Sequence, residues 1–132
     1  MSKRTYFRGT DFPHEGFVQL AIESRFAALG FTTVPAGHAD FACVSPTTGE
    51  SWVVEAKGKT LAIGLDFRTG LGQLLQQMNE ESTRYGLALP EIPQFIAQCR
   101  KVSPWVRSRI GIHWLLVSED GTVRIVAPDQ AL

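Results

Sequence analysis

The chain reads as an α/β protein, with a mixed central β-sheet flanked by helices. Two observations predict this. Stretches with helical spacing of apolar residues alternate with short β-rich runs, in the order α-β-β-β-α-β-α-β-β. In addition, strong turn chemistry joins two pairs of those runs, at Pro46-Thr47-Thr48-Gly49 and at Asp120-Gly121. At 132 residues the chain suffices for one domain with a single hydrophobic core and is too short for two. Residues 1–132 are therefore expected as one unit, opening with an irregular arm over 1–13.

The first helix is expected from about His14 to Leu29, with Phe17, Leu20, Ala21, Ala27 and Ala28 at roughly helical spacing and Gly30 as its stop. Phe31 to Val34 is a short β-rich run ended by Pro35-Ala36-Gly37. Asp40 to Ser45 and Glu50 to Lys57 form a hairpin. Gly58 to Arg68 reads as a loop or lid. A second helix is expected from about Gly70 to Glu81, with Leu71, Leu74, Leu75 and Met78 as its apolar stripe. Tyr85 to Leu89 is a strand stopped by Pro90. A helix from about Pro93 to Val102 buries Phe95, Ile96, Cys99 and Val102, and a short helix follows near Pro104 to Arg109. Ile112 to Val117 and Val123 to Ala127 close the chain as a second hairpin.

A content of 44% hydrophobic and 20% charged residues is that of an ordinary soluble protein. No run approaches the ~18 apolar residues of a membrane span. No apolar signal region follows the charged start Met1-Ser2-Lys3-Arg4-Thr5, so a cytoplasmic protein without membrane contact is expected. Cys43 and Cys99 sit in apolar contexts far apart in sequence, which favours core thiols over a disulfide, and neither has a CxxC partner. Formal charge is zero, 13 basic against 13 acidic residues, which is unusual for a nucleic-acid binder. The basic residues do cluster: Lys3, Arg4 and Arg8; Lys57, Lys59 and Arg68; Arg100, Lys101, Arg107 and Arg109. Solvated surface charge is the better explanation of any one cluster taken alone.

The first hairpin carries the chemistry. With a four-residue turn, Ser45 faces Glu50, and counting back sets Phe41 opposite Val54 and Asp40 opposite Glu55. Alternation then puts Phe41, Cys43, Trp52 and Val54 on an apolar core face and Asp40, Glu55 and Lys57 on the other. Two carboxylates ~5 Å apart at an effective dielectric of ~20 repel by about 3 kcal/mol. A shared proton, Lys57 or a divalent cation would offset that repulsion. Mg²⁺ or Mn²⁺ suits oxygen ligands, and Asp40, Glu55 and the carbonyl of Ala56 would supply them. Such a cation would neutralise phosphate charge and acidify a bound water, with Lys57 orienting the water or stabilising developing charge. Glu55 and Lys57 also read as ordinary residues on a half-exposed strand. Lys59 and Arg68 after the motif, and His38 before it, are the candidate substrate contacts, although the default reading of His38 is a polar loop residue.

Asp40 followed by Glu55-Ala56-Lys57 resembles the PD-(D/E)xK nuclease superfamily, the restriction-endonuclease-like fold. Its order of helix, strand, Asp strand, E-x-K strand, helix, strand matches the reading from residue 14 to 89. Gly72-Gln73-Leu74 resembles the G-Q-L element that opens the helix after the E-x-K strand, and that likeness implies Gln73 beside the site. Glu15-Gly16-Phe17-Val18-Gln19 is similar to the E-x-x-[VI]-Q start of virus-type replication-repair (VRR) nuclease domains, whose helix glutamate points at the active site. That likeness implies Glu15 as a functional acid, with Glu23 as runner-up on the same helix face. Ala39 stands where the superfamily's name has Pro. The resemblance implies a Mg²⁺- or Mn²⁺-dependent endonuclease acting on DNA. At this size two sites, and so a homodimer, would be needed to cut both strands; Trp105, Trp114 or the C-terminal hairpin could supply the interface, and each is equally able to be core. The alternative is a catalytically inactive relative that binds nucleic acid or a protein partner, which the neutral charge would suit. Other enzyme classes find no support: His14, His38 and His113 give no HNH or H-E-x-x-H spacing, and neither G-x-S-x-G nor a P-loop occurs.

Overall fold

A computed structural model describes residues 9–132, so most of the arm expected over 1–13 lies outside the described residues. The elements are α1 (Glu15–Ala28), β1 (Thr32–Thr33), β2 (Phe41–Val44), β3 (Ser51–Ala56), α2 (Ile63–Gln76), β4 (Arg84–Pro90), α3 (Pro93–Arg100), α4 (Pro104–Ile110), β5 (Ile112–Val117) and β6 (Val123–Val126). The six strands lie in one sheet in chain order. β3, β4 and β5 run parallel, and every other neighbouring pair is antiparallel. This is the expected α/β fold with a mixed sheet, and its two parallel steps are crossed by helices as geometry demands.

The sheet has two covered faces. On one, Val18, Ile22 and Phe26 of α1 pack over Phe41, Cys43, Trp52, Val54 and Ala56. On the other, Phe67 and Leu74 of α2 and Phe95 and Cys99 of α3 cover Leu87, Leu89, Trp114 and Leu116. β4 is buried on both sides from Tyr85 to Pro90, which explains its unbroken apolar run. Both cysteines are free and buried, and desolvation pushes each thiol up to about 12. Trp114 is fully buried, so it is core and not an interface residue, whereas Trp105 is 66% exposed.

Three expectations need correction. The stripe of α1 is Val18, Ile22 and Phe26, not the one read through Leu20, Ala27 and Ala28, all of which are exposed. Alanines are compatible with either side of a helix, and the bulkier set takes the sheet. The second helix starts at Ile63 and ends at Gln76, so most of the expected 58–68 loop is helical and Arg68 lies inside α2. Gly64 and Gly70 obscured that start, but packing of Ile63, Phe67, Leu71 and Leu74 against the sheet outweighs their low helix propensity. Leu75, expected inside, is exposed.

α4 is held by Arg107, which is 1% exposed. Its guanidinium donates to the carbonyls of Ala127 at 2.9 Å, Ile112 at 3.4 Å and Gln130, and lies 5.1 Å from the Trp114 ring centroid. It thereby ties the chain after β6 to the α4–β5 corner. Burial lowers its pKa. Arg107→Ala should cost about 2–4 kcal/mol, since carbonyls and a cavity are left behind. Urea denaturation measures this, and a variant within 0.5 kcal/mol of wild type, roughly the scatter of surface substitutions, would refute the role.

Candidate active site

β2 and β3 pair with Phe41 opposite Val54, Ala42 opposite Val53, Cys43 opposite Trp52 and Val44 opposite Ser51. The Ser45 N–H donates to the Glu50 carbonyl at 2.8 Å across the turn, as counted from the sequence. Carrying the register one step past Phe41 brings Asp40 opposite Glu55, at the hairpin's open end. Alternation sends Trp52, Val54 and Ala56 into the α1 core and turns Glu55 and Lys57 toward α2.

The backbone there is specialised. Ser45 bonding to Glu50 sets the parity, so the N–H and C=O of Ala56 face β2 while those of Lys57 face β4. Lys57 N–H accordingly donates to the Ala88 carbonyl at 3.0 Å. On the other side the ladder stops. Ala39 N–H turns to the Ala36 carbonyl at 3.0 Å, and Ala56 N–H donates instead to Asp40 Oδ2 at 2.8 Å. The Ala56 carbonyl is thus left without its β2 donor, next to both carboxylates.

Glu55 is 3% exposed, and its Oε2 is buried without a hydrogen-bond partner among the described residues. Burial first, then the Asp40 charge, pushes its carboxyl up to about 8; a hydrogen bond to Asp40 and the Glu15 charge act in the same direction, and Lys57 opposes them. Burial and the facing charge thus favour the protonated form of Glu55 in the absence of a cation. An orphaned carboxylate oxygen, a second carboxylate and a free carbonyl form an all-oxygen donor set that fits a hard divalent cation, substrate and water completing its shell. Among the described residues no group of three His, Cys, Asp or Glu side chains could hold a metal ion, so the carbonyl matters to the count.

Two close approaches position this group. A Cβ on Gly58 would lie 2.1 Å from the Glu15 backbone nitrogen, so only glycine lets the end of β3 rest on the first turn of α1. Lys59 N–H donating to the Pro13 carbonyl at 2.9 Å secures the contact. A Cβ on Gly70 would lie 2.8 Å from Lys57 Cγ and 3.0 Å from Leu87 Cδ1, so Gly70 is the groove in α2 through which the lysine stem passes. A third device was missed at the level of sequence: Gln19, 5% exposed, donates from Nε2 to the Asp40 carbonyl at 2.8 Å. The signal available for it was a glutamine beside Val18 on a helix face that turns inward. Gln19 also donates to Glu23 at 3.4 Å, so Glu23 belongs to this positioning network, while Glu15 is the helix acid whose charge acts on Glu55.

The other candidates stand apart. Gln73 is exposed, one turn beyond Gly70, and makes no side-chain hydrogen bond among the described residues. His38 is exposed in the 36–39 turn, and Lys59 is exposed after β3. The Arg68 guanidinium lies over Gly64, where a Cβ would meet Nη1 at 3.3 Å and the Gln98 amide nitrogen at 3.6 Å.

Two tests follow from this geometry. Because Glu55 binds its proton more tightly folded than unfolded, its contribution to stability is complete below about 4.5 and lost as pH rises through about 8. Metal-free protein should lose on the order of a few kcal/mol across that window, and Glu55→Gln should flatten the curve. Thermal unfolding between pH 5 and 9 reads this out, and coincident curves would dismiss the buried proton. Gly70→Ala should cost about 1–3 kcal/mol by overpacking and displace Lys57, seen as a changed pH profile of stability.

The chain matches no protein-family model, no curated protein and no solved structure.

Proposed function

We propose that this chain is a restriction-endonuclease-like, PD-(D/E)xK-type phosphodiesterase that cuts DNA with Mg²⁺ or Mn²⁺. The observation that carries the reading is the buried, unpartnered Oε2 of Glu55 facing Asp40 at the open end of the hairpin. Asp40, Glu55 and the Ala56 carbonyl would hold the cation. When bound, it supplies charge neutralisation at the phosphate and acidifies water. The Ala56 N–H holds the Asp40 carboxylate and Gln19 holds the Asp40 backbone carbonyl, so that the residue need not reorganise. Lys57, its stem clamped under Gly70, presents an ammonium on the same face to orient water or meet developing negative charge. Glu15 approaches from α1 and would adjust the protonation of Glu55. Lys59, Arg68, Gln73 and His38, exposed but outside the carboxylate cluster, are proposed as contacts to the phosphodiester backbone.

Such a protein would work inside the cell, which suits two free cysteines. Among the described residues no helix is long and apolar enough to cross a membrane. Cutting both strands would call for a homodimer.

A second reading is a non-catalytic module that binds nucleic acid or a protein partner. It is favoured by the absence, among the described residues, of any three convergent acidic, histidine or cysteine ligands, and it asks less of the site. Mn²⁺ titration calorimetry and incubation with plasmid, single-stranded and four-way-junction DNA separate the two. The enzyme reading expects one cation site that is lost in Asp40→Ala, binding that tightens as pH rises through about 8, and metal-dependent cutting that falls at least 100-fold in Lys57→Ala. Cation binding without cutting on every substrate would leave the module.

A further inference from the structure

Charge is segregated along this neutral chain. From residue 92 to residue 118 there is no Asp or Glu, while Arg100, Lys101, Arg107 and Arg109 all fall in that stretch. The fold buries Arg107 and leaves the other three exposed at the end of α3 and on α4. Among them stands Trp105, 66% exposed, whereas Trp52 and Trp114 are 3% and 0% exposed. The Arg109 guanidinium lies 5.8 Å from the Trp105 ring centroid, within reach of a cation–π contact. Beside it is a cavity of about 460 Å³ lined by Ser108, Arg109, Gly111, Thr83, Glu80 and Glu81, whose two carboxylates repel an anionic strand and leave it the Trp105 side.

We infer that Trp105, with Arg100, Lys101 and Arg109, is a binding surface for single-stranded nucleic acid, the indole stacking on an unpaired base and the cations meeting the phosphates. An exposed aromatic with one arginine against its ring and two further exposed cations at the end of the preceding helix, in a segment free of acids, has the two components such surfaces use, stacking and backbone charge. A protein partner would be served by the apolar indole but gives no reason for a segment that carries only cations. The surface lies on the same face of the sheet as Glu55, because α3 packs on that face and α4 follows it. Helix rise and strand spacing put it on the order of 15–20 Å from Glu55. The inference deepens the nuclease reading by naming its substrate class: DNA with an unpaired segment held at Trp105 while the phosphodiester lies at Glu55.

Binding is tested without metal, in EDTA, so that it does not depend on cleavage. With two tryptophans buried, intrinsic fluorescence on adding oligo(dT) reports Trp105. Saturable quenching is expected for a single strand and for a duplex with a single-stranded tail, and little for blunt duplex. Trp105→Ala should weaken binding, followed by anisotropy of a labelled oligonucleotide, by about 5- to 100-fold, and Trp105→Phe should retain most of it. Arg100→Gln with Lys101→Gln should lower the salt dependence by about 1.4 in log–log slope, the ~0.7 per phosphate contact of single strands counted twice. No quenching by any oligonucleotide at low salt, equal affinity in Trp105→Ala, or a Trp105-dependent dimer that excludes nucleic acid would overturn the surface. If Trp105-dependent binding persists while no substrate is ever cut, the nuclease reading fails and the surface stands. If cutting occurs with binding indifferent to Trp105, the reverse holds.

Discussion

The open end of the first hairpin depends on a single pairing register. Phe41 against Val54 forces Asp40 against Glu55, and the two-residue period of a strand then decides which side chains enter the α1 core and which turn toward α2. A slip of one residue would put Trp52 and Val54 on the wrong face and dismantle the α1 core, so apolar packing enforces an arrangement that electrostatics alone would oppose. The acidic pair is held together because its neighbours on the same two strands are among the best-buried residues in the protein.

The same constraint explains the protonation of Glu55. A carboxyl with 3% exposure facing another carboxylate has two ways to avoid the cost of two buried charges: keep a proton or take up a cation. Lys57 alone does not suffice, since it draws the Glu55 pKa down less than burial and Asp40 push it up. The β2–β3 ladder is interrupted at Ala39, and the Asp40 carboxylate takes the vacant acceptor place opposite the Ala56 N–H. Gly58 and Gly70 permit the close approaches that bring α1 and α2 against this strand end, and neither position tolerates a Cβ without movement. Three separate contacts thus converge on one strand terminus and fix its position.

Neutral overall charge conceals a strong local pattern. Acids gather at the hairpin end, the 77–83 connection and the flanks, while the α3–α4 segment carries only cations. One of these, Arg107, turns inward and serves as a clamp for three carbonyls, so equal-looking members of a sequence cluster have opposite fates. The division between a carboxylate end and a basic, tryptophan-bearing end gives the sheet face two distinct chemistries joined by α2.

Local chemistry along the chain was enough to establish the α/β class, the strand order of the first hairpin, its register and the opposition of Asp40 to Glu55. Turn residues and a period of two act between near neighbours and are not overridden by distant packing. What the chain concealed was set over long distance. The start of α2 at Ile63, hidden by two glycines, the inward stripe of α1, the clamp of Arg107 and the bond from Gln19 to Asp40 each depend on which surface meets the helix. A helix face has no preference until something covers it; the sheet supplies that cover, and burial then assigns each side chain to core, clamp, site or solvent.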